Sequence, residues 1–210
     1  MAALRFAAPS DVTRSWTHPS PPWMQRAGHA VLAGGGVWLV DPPDGDGLDA
    51  GIAELDAPVR GVLQLLDRHP RDCAALAERL SVPLHVVPLG SGHGLPFEVV
   101  PMWHLPVWKE DALWIAESGT LIVPEALVGA PDFAAPGERV GVHPMRRLLP
   151  PSVLKRFAGD VEHLLLGHGD ALHGDAARAA VRDALGGSRR RLPRLLAAQL
   201  TRAARGRFRG

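Results

Sequence analysis

Three short clusters hold the side chains best suited to chemistry. Asp67-Arg68-His69-Pro70-Arg71-Asp72 carries two carboxylates, an imidazole and two guanidinium groups. Pro124-Glu125-Ala126-Leu127 offers one carboxylate, and Gly167-His168-Gly169-Asp170 offers an imidazole flanked by glycines. Imidazole nitrogens and carboxylate oxygens together make a ligand set for a divalent cation such as Zn²⁺. His168 is the strongest single candidate, because glycine on both sides permits a tight turn and close backbone approach. Plainer readings stand beside these. Asp67 and Asp72 flank a helix start, where the helix dipole favours carboxylates regardless of other roles. His69 suits a helix flank, Glu125 a solvated strand end, and Asp72 with Arg71 an ion pair.

The clusters matter only if the chain brings them together, and the apolar pattern says how. HAVLAGGGVWLVD reads as strands at about 29–33 and 37–41, joined through Gly34-Gly35-Gly36. A turn and a short helix follow. Residues 59–67 have buried-strand character, 71–80 have helical spacing, and 82–87 read as the next strand. Strand, helix and strand within so short a span predict a βαβ unit with a parallel pair. Residues 97–102 read as a strand, and 112–127 as a hairpin closed near Ser118-Gly119. A long loop spans 128–152, a helix about 152–159, and a strand 161–169. Helices follow at 175–185 and 192–205, the first stopped by Gly186-Gly187. All three clusters thus fall at strand ends, where ligands gather in α/β sheets.

A chain of 210 residues suits one domain, 1–210. Its first 25 residues, rich in Pro and Ser, read as an irregular arm pinned by Trp16 and Trp23. From Ser188 onward there are eight Arg and no acidic residue, which leaves 15 Lys+Arg against 22 Asp+Glu in the body. The basic segment 188–210 reads as a helix with Leu192, Leu195, Leu196 and Leu200 near one face, suited to docking on the body. Without interleaved aromatic residues or a reading motif, nucleic-acid binding ranks low. Cys73 is the only cysteine, so no intrachain disulfide forms. The opening MAALRFAAPSDV is too short and interrupted for a signal peptide, and no run is long enough to span a membrane. A cytoplasmic location is the default expectation. Oligomeric state is not legible.

The ordered set of motifs resembles the metallo-β-lactamase superfamily. That family opens with a hairpin ending in Val/Ile-Asp, similar to Val37-Trp38-Leu39-Val40-Asp41. It places His-x-His-x-Asp-His between a strand and a helix, where this chain has Asp67 to Asp72. A later strand ends in Gly-Asp-Ala-Leu, similar to Pro124-Glu125-Ala126-Leu127, and the set closes with Gly-His-Gly, matched by Gly167-His168-Gly169. The resemblance covers most of residues 28–185 and implies a four-layer αββα sandwich. In the first motif only His69 keeps the family's residue. Asp67 and Asp72 replace histidines, Arg71 replaces the aspartate that would hold a second metal, and His104 is the nearest match for the middle histidine.

Since guanidinium cannot ligate a cation, Arg71 implies one metal at most and suits pairing with nearby carboxylates. The resemblance therefore implies a single divalent ion, Zn²⁺, Mn²⁺ or Fe²⁺, held by Asp67, His69, Glu125 and His168. Asp72 would orient a water against an ester, thioester or amide substrate. The alternative is a non-catalytic relative without metal, its cleft binding a small anion or a protein partner. His143 is a further candidate for the cleft, and Trp103 and Trp108 are either pocket walls or packing anchors. His18, His29, His85, His93 and His163 carry no functional expectation, and His173 reads as a surface residue.

Overall fold

A computed structural model describes residues 2–21, 24–90 and 94–207, with 204–207 described by backbone alone. Trp23 and part of the 88–96 loop lie outside the described residues. Strands β1 (Arg5–Phe6), β2 (Thr13–Thr17), β3 (Ala27–Ala33), β4 (Gly36–Val40), β5 (Val59–Gln64) and β6 (Leu84–Val86) form one sheet in that order. The first four alternate in direction, whereas β4, β5 and β6 run parallel. Helices α1 (Leu48–Ala53) and α2 (Cys73–Arg79) make the two crossovers. The reading of residues 1–25 as an irregular arm is corrected: β1 and β2 extend the sheet. Thr13–Thr17 is too short for its pattern to show among the surrounding Pro and Ser, yet Trp16 is buried and its Nε1 donates to the Pro43 carbonyl at 2.9 Å.

The second half builds a sheet in the order β13-β12-β9-β8-β7. Its strands are β7 (Glu98–Leu105), β8 (Trp108–Ile115), β9 (Thr120–Val123), β12 (His163–Leu166) and β13 (Leu172–His173). The 128–152 segment has more order than its sequence suggests. β10 (Leu127–Val128) pairs with β11 (Gly141–Val142), a 3₁₀ turn covers Pro144–Arg146, and Arg147 and Glu138 make a buried ion pair at 2.6 Å. The helix expected near 152–159 is a 3₁₀ turn at Ser152–Phe157. α3 (Asp175–Gly187) and α4 (Leu192–Arg207) follow. Of the leucines on the α4 face, Leu195 is buried while Leu196 and Leu200 remain exposed.

Side-chain alternation along the strands sorts these elements into layers. Val37 and Leu39 of β4 join Leu48, Ile52, Cys73 and Leu76 on the helical side. Trp38 and Val40 turn the other way, meeting Leu113, Ile122 and Leu165 of the second sheet. Leu121, Val123, Leu164 and Leu166 face Val181 and Ala184 of α3. The result is the α/β/β/α sandwich. At one end the two sheets are joined directly. Asp111 N–H donates to Leu65 O at 2.9 Å, Asp67 N–H to Lys109 O at 3.0 Å, and Ala27 N–H to Gly167 O at 2.9 Å. That junction brings the ends of β4, β5, β9 and β12 together. Among the described residues no helix is long and apolar enough to cross a membrane.

Candidate metal centre

Each strand end at the junction delivers one group. After β5 the chain turns at Leu66–His69 and presents His69; after β9 it presents Glu125; after β12 it presents His168. One ligand atom from each of these three lies within 4.8 Å of the others. The glycines around His168 are required. A Cβ on Gly167 would run into the Pro124 carbonyl oxygen and stand 3.0 Å from His69 Cε1, and Gly169 has φ +108°.

The ring protons follow from the partners. His69 Nδ1 lies 3.1 Å from Asp41 Oδ2, and His168 Nδ1 lies 2.8 Å from the Met24 carbonyl oxygen. A carboxylate and a carbonyl only accept, so both Nδ1 atoms carry the proton. Burial, reinforced by the Arg71 charge, holds His69 well below the usual histidine value. Burial, then the neighbouring His69 and Arg71, lowers His168 to about 3. Both rings are therefore neutral, and each Nε2 is a bare lone pair. These two lone pairs face each other at 3.1 Å. Asp41 holds its place through the Leu65 amide, which donates to Oδ1 at 2.8 Å; burial raises its carboxyl to about 6, against the pull of Arg71.

Glu125 is held from three sides. Arg68 donates to its Oε2, and His143 Nε2 stands 3.8 Å from its Oε1. His143 Nδ1 accepts from the Met145 amide at 3.4 Å, so the proton sits on Nε2 and points at Glu125. Behind Glu125, the fully buried Glu110 accepts from the Glu125 and Ala126 amides at 2.9 and 2.6 Å, from Trp108 Nε1 at 3.0 Å and from Arg146 at 3.2 Å. Trp108 lies between Arg68, 4.0 Å above its ring, and His143, edge-on at 5.0 Å. Phe133 sits 5.5 Å from His168 and 5.8 Å from His143. Trp103 packs under Arg146 at 4.1 Å.

Other expected residues lie elsewhere. Asp67 accepts from the Lys109 amide at 3.0 Å, its Oδ1 is buried without a hydrogen-bond partner, and it stays outside the three-residue group. Asp72 accepts from the Asp44 amide at 2.8 Å, and it too stays outside the three-residue group. Among the described residues Arg71 makes no ion pair with a carboxylate oxygen. It donates to the carbonyls of Ala27 and Asp41, and to that of Gly167 at 2.8 Å. His104 is bound to Asp111 at 2.7 Å, away from the group. Glu110 was not singled out by sequence, Asp41 was read only as the close of a hairpin motif, and Arg68 only as a member of its cluster. For Glu110 and Asp111 the available signal was a pair of acids interrupting an otherwise apolar strand.

No protein-family model matches the sequence, and no curated protein matches it. Solved structures match the fold. The DIM-1 metallo-β-lactamase superposes with a TM-score of 0.59 at 14% identity, over 90% of this chain and 97% of that one. A metallo-β-lactamase from Pontibacter korlensis gives 0.59 at 13% identity, over 86% and 100%. FIM-1 from Pseudomonas aeruginosa, in a mono-zinc form, gives 0.57 at 14% identity, over 90% and 97%. Likeness at such identities is likeness of fold.

Proposed function

Starting from a metallo-β-lactamase fold, we propose that this chain is a diverged hydrolase holding one divalent ion through His69, Glu125 and His168. The reading is carried by the two Nε2 lone pairs that face each other at 3.1 Å with both Nδ1 protons committed behind them. Without a cation between them they repel. Two imidazoles and one carboxylate form the three-ligand set of catalytic zinc sites, which leave a position open for substrate or water. With Asp67 outside the group, the set is less oxygen-rich than the sequence implied. That shifts the expectation toward Zn²⁺ over Mn²⁺ or Fe²⁺. A bound ion would supply Lewis acidity, which acidifies water and polarises a carbonyl oxygen.

The chain's own residues do the rest. Asp41 and the Met24 carbonyl fix the tautomers of the two histidines. Glu110 fixes the backbone that presents Glu125. Arg68, 42% exposed beside an almost closed Glu125, is the cation an incoming substrate meets and favours one with negative charge. His143 Nε2–H is a donor for substrate oxygen, and Trp108 and Phe133 exclude water. The substrate class remains an ester, thioester or amide of small size.

A second reading rests on the Arg68–Glu125 pair: with that carboxylate neutralised by a guanidinium, the cleft binds a small anion and no metal. Metal analysis of protein purified without chelator separates the two. One equivalent, lost in His168→Ala, supports the metal centre. Its absence, persisting after incubation with Zn²⁺, Mn²⁺ and Fe²⁺, defeats the hydrolase reading.

A further inference from the structure

His163 and His173 form a second convergence of imidazoles, at the start of β12, whereas His168 lies beyond its end. They are direct partners across the antiparallel β12–β13 pair. Their rings meet edge-on at 5.0 Å, and their Nδ1 atoms are 2.8 Å apart. Opposed residues on paired strands keep their Cβ atoms about 4.5–5.5 Å apart, so strand register alone holds these rings together. Burial lowers both rings below the usual histidine value, and for His163 the charge of His173 adds to the effect. Neutral imidazole is the form that ligates metals.

The present proton arrangement is incomplete. One Nδ1 must donate to the other, yet His173 Nε2 is buried with no hydrogen-bond partner. Whichever ring donates, one polar atom of His173 is left unsatisfied. Glu162, the carboxylate whose charge acts on His163, is itself engaged by Arg178.

We propose that His163 and His173 form a separate metal site, taking a late transition-metal ion such as Cu²⁺, Ni²⁺ or Zn²⁺ through their facing Nδ1 atoms, with solvent completing the shell. An all-imidazole pair suits these ions over Mg²⁺, Ca²⁺ or Mn²⁺. No proton is released: the donor ring shifts its proton from Nδ1 to Nε2. The site owes nothing to the reading of His69, Glu125 and His168.

Calorimetric titration of metal-stripped full-length protein with Zn²⁺ tests it. Wild type should take up a second, weaker equivalent. His163→Ala and His173→Ala should each lose that step and keep the first, while His168→Ala should lose the first and keep the second. A second equivalent retained in both His163→Ala and His173→Ala overturns the proposal, as does wild type that takes up none beyond the first centre. If the alanine variants do not fold, ring ¹⁵N resonances of wild type serve instead: Nδ1 of His163 and His173 must shift on zinc addition, and unmoved resonances reject the site.

Discussion

His69 and His168 owe the facing of their Nε2 atoms to what stands behind them. Sequence showed two histidines at strand ends and an aspartate closing the first hairpin; it did not show that Asp41 and the Met24 carbonyl stand behind the two rings and decide where the protons go. Arg71 shows the same gap. Its replacement of an acid was legible, but its φ of +39° turns the side chain beneath three strand ends, where carbonyls take all of its bonds named above. His29, given no role from sequence, also ties the sheets. Its Nε2 donates to Leu166 O at 3.0 Å, and its Nδ1 accepts from Ser15 Oγ at 2.8 Å. Burial lowers its pKa from 6.5 to about 4. A base with a depressed folded value contributes fully above the unfolded value. Its contribution falls as pH drops from 6.5 toward 4, because the unfolded chain takes the proton first. At 1.36 kcal/mol per pH unit, the loss from His29 alone reaches about 2 kcal/mol by pH 5. His29→Gln should be less stable at pH 7 yet lose about 2 kcal/mol less than wild type between pH 7 and 5, by the linkage above. Urea midpoints at both pH values check this, and equal losses in the two proteins refute it.

Elements were legible where burial follows a clean period. β3, β4, β5, β9 and β12 stand close to their expected places because apolar runs bounded by glycine or proline mark them. β2 was hidden by its surroundings. β7 was read short and the start of β8 was missed, because Met102 to Glu110 mixes tryptophan, histidine and charge; that stretch holds Glu110, Trp103 and Trp108. The glycine turn after β12 was read correctly as a close approach, and it yields a test. Gly167→Ala puts a methyl against the Pro124 backbone carbonyl and beside the His69 ring, neither of which has a flexible end to move. Overpacking of this kind costs about 1–3 kcal/mol. Gly186→Ala meets nothing within 4 Å inside α3 and serves as the control, expected neutral or slightly stabilising. Thermal melts and zinc content of both variants decide it. A Gly167→Ala protein with unchanged melting and full zinc would show that the strand ends are not locked as the distances imply.

Across the whole molecule, the candidate centre is where the two halves of the sandwich meet, so an ion bound there would couple its occupancy to the stability of both sheets. His69 belongs to the first half; Glu125 and His168 belong to the second. α4 also bears on this junction. Arg202 donates to the Pro131 carbonyl at 3.0 Å and pairs with Asp132 at 3.3 Å, one residue before the Phe133 ring that covers His168 and His143. The basic tail, read from sequence as a helix suited to docking on the body, thus places one of its charges on the loop over the centre. An ion that binds only when both halves are folded stabilises by mass action, about 2.7 kcal/mol at a hundredfold excess over its dissociation constant. For a chain of this length each kcal/mol raises the melting temperature by about 2–4 °C, so zinc should raise it by about 5–10 °C over chelator-treated protein. His168→Ala should lose most of that rise, since one remaining imidazole and Glu125 leave too few ligands. The weaker His163–His173 pair lies within the second sheet alone and cannot tie the halves. A zinc-induced rise of the same size in His168→Ala would therefore mean that the stabilising ion sits somewhere other than between the two sheets.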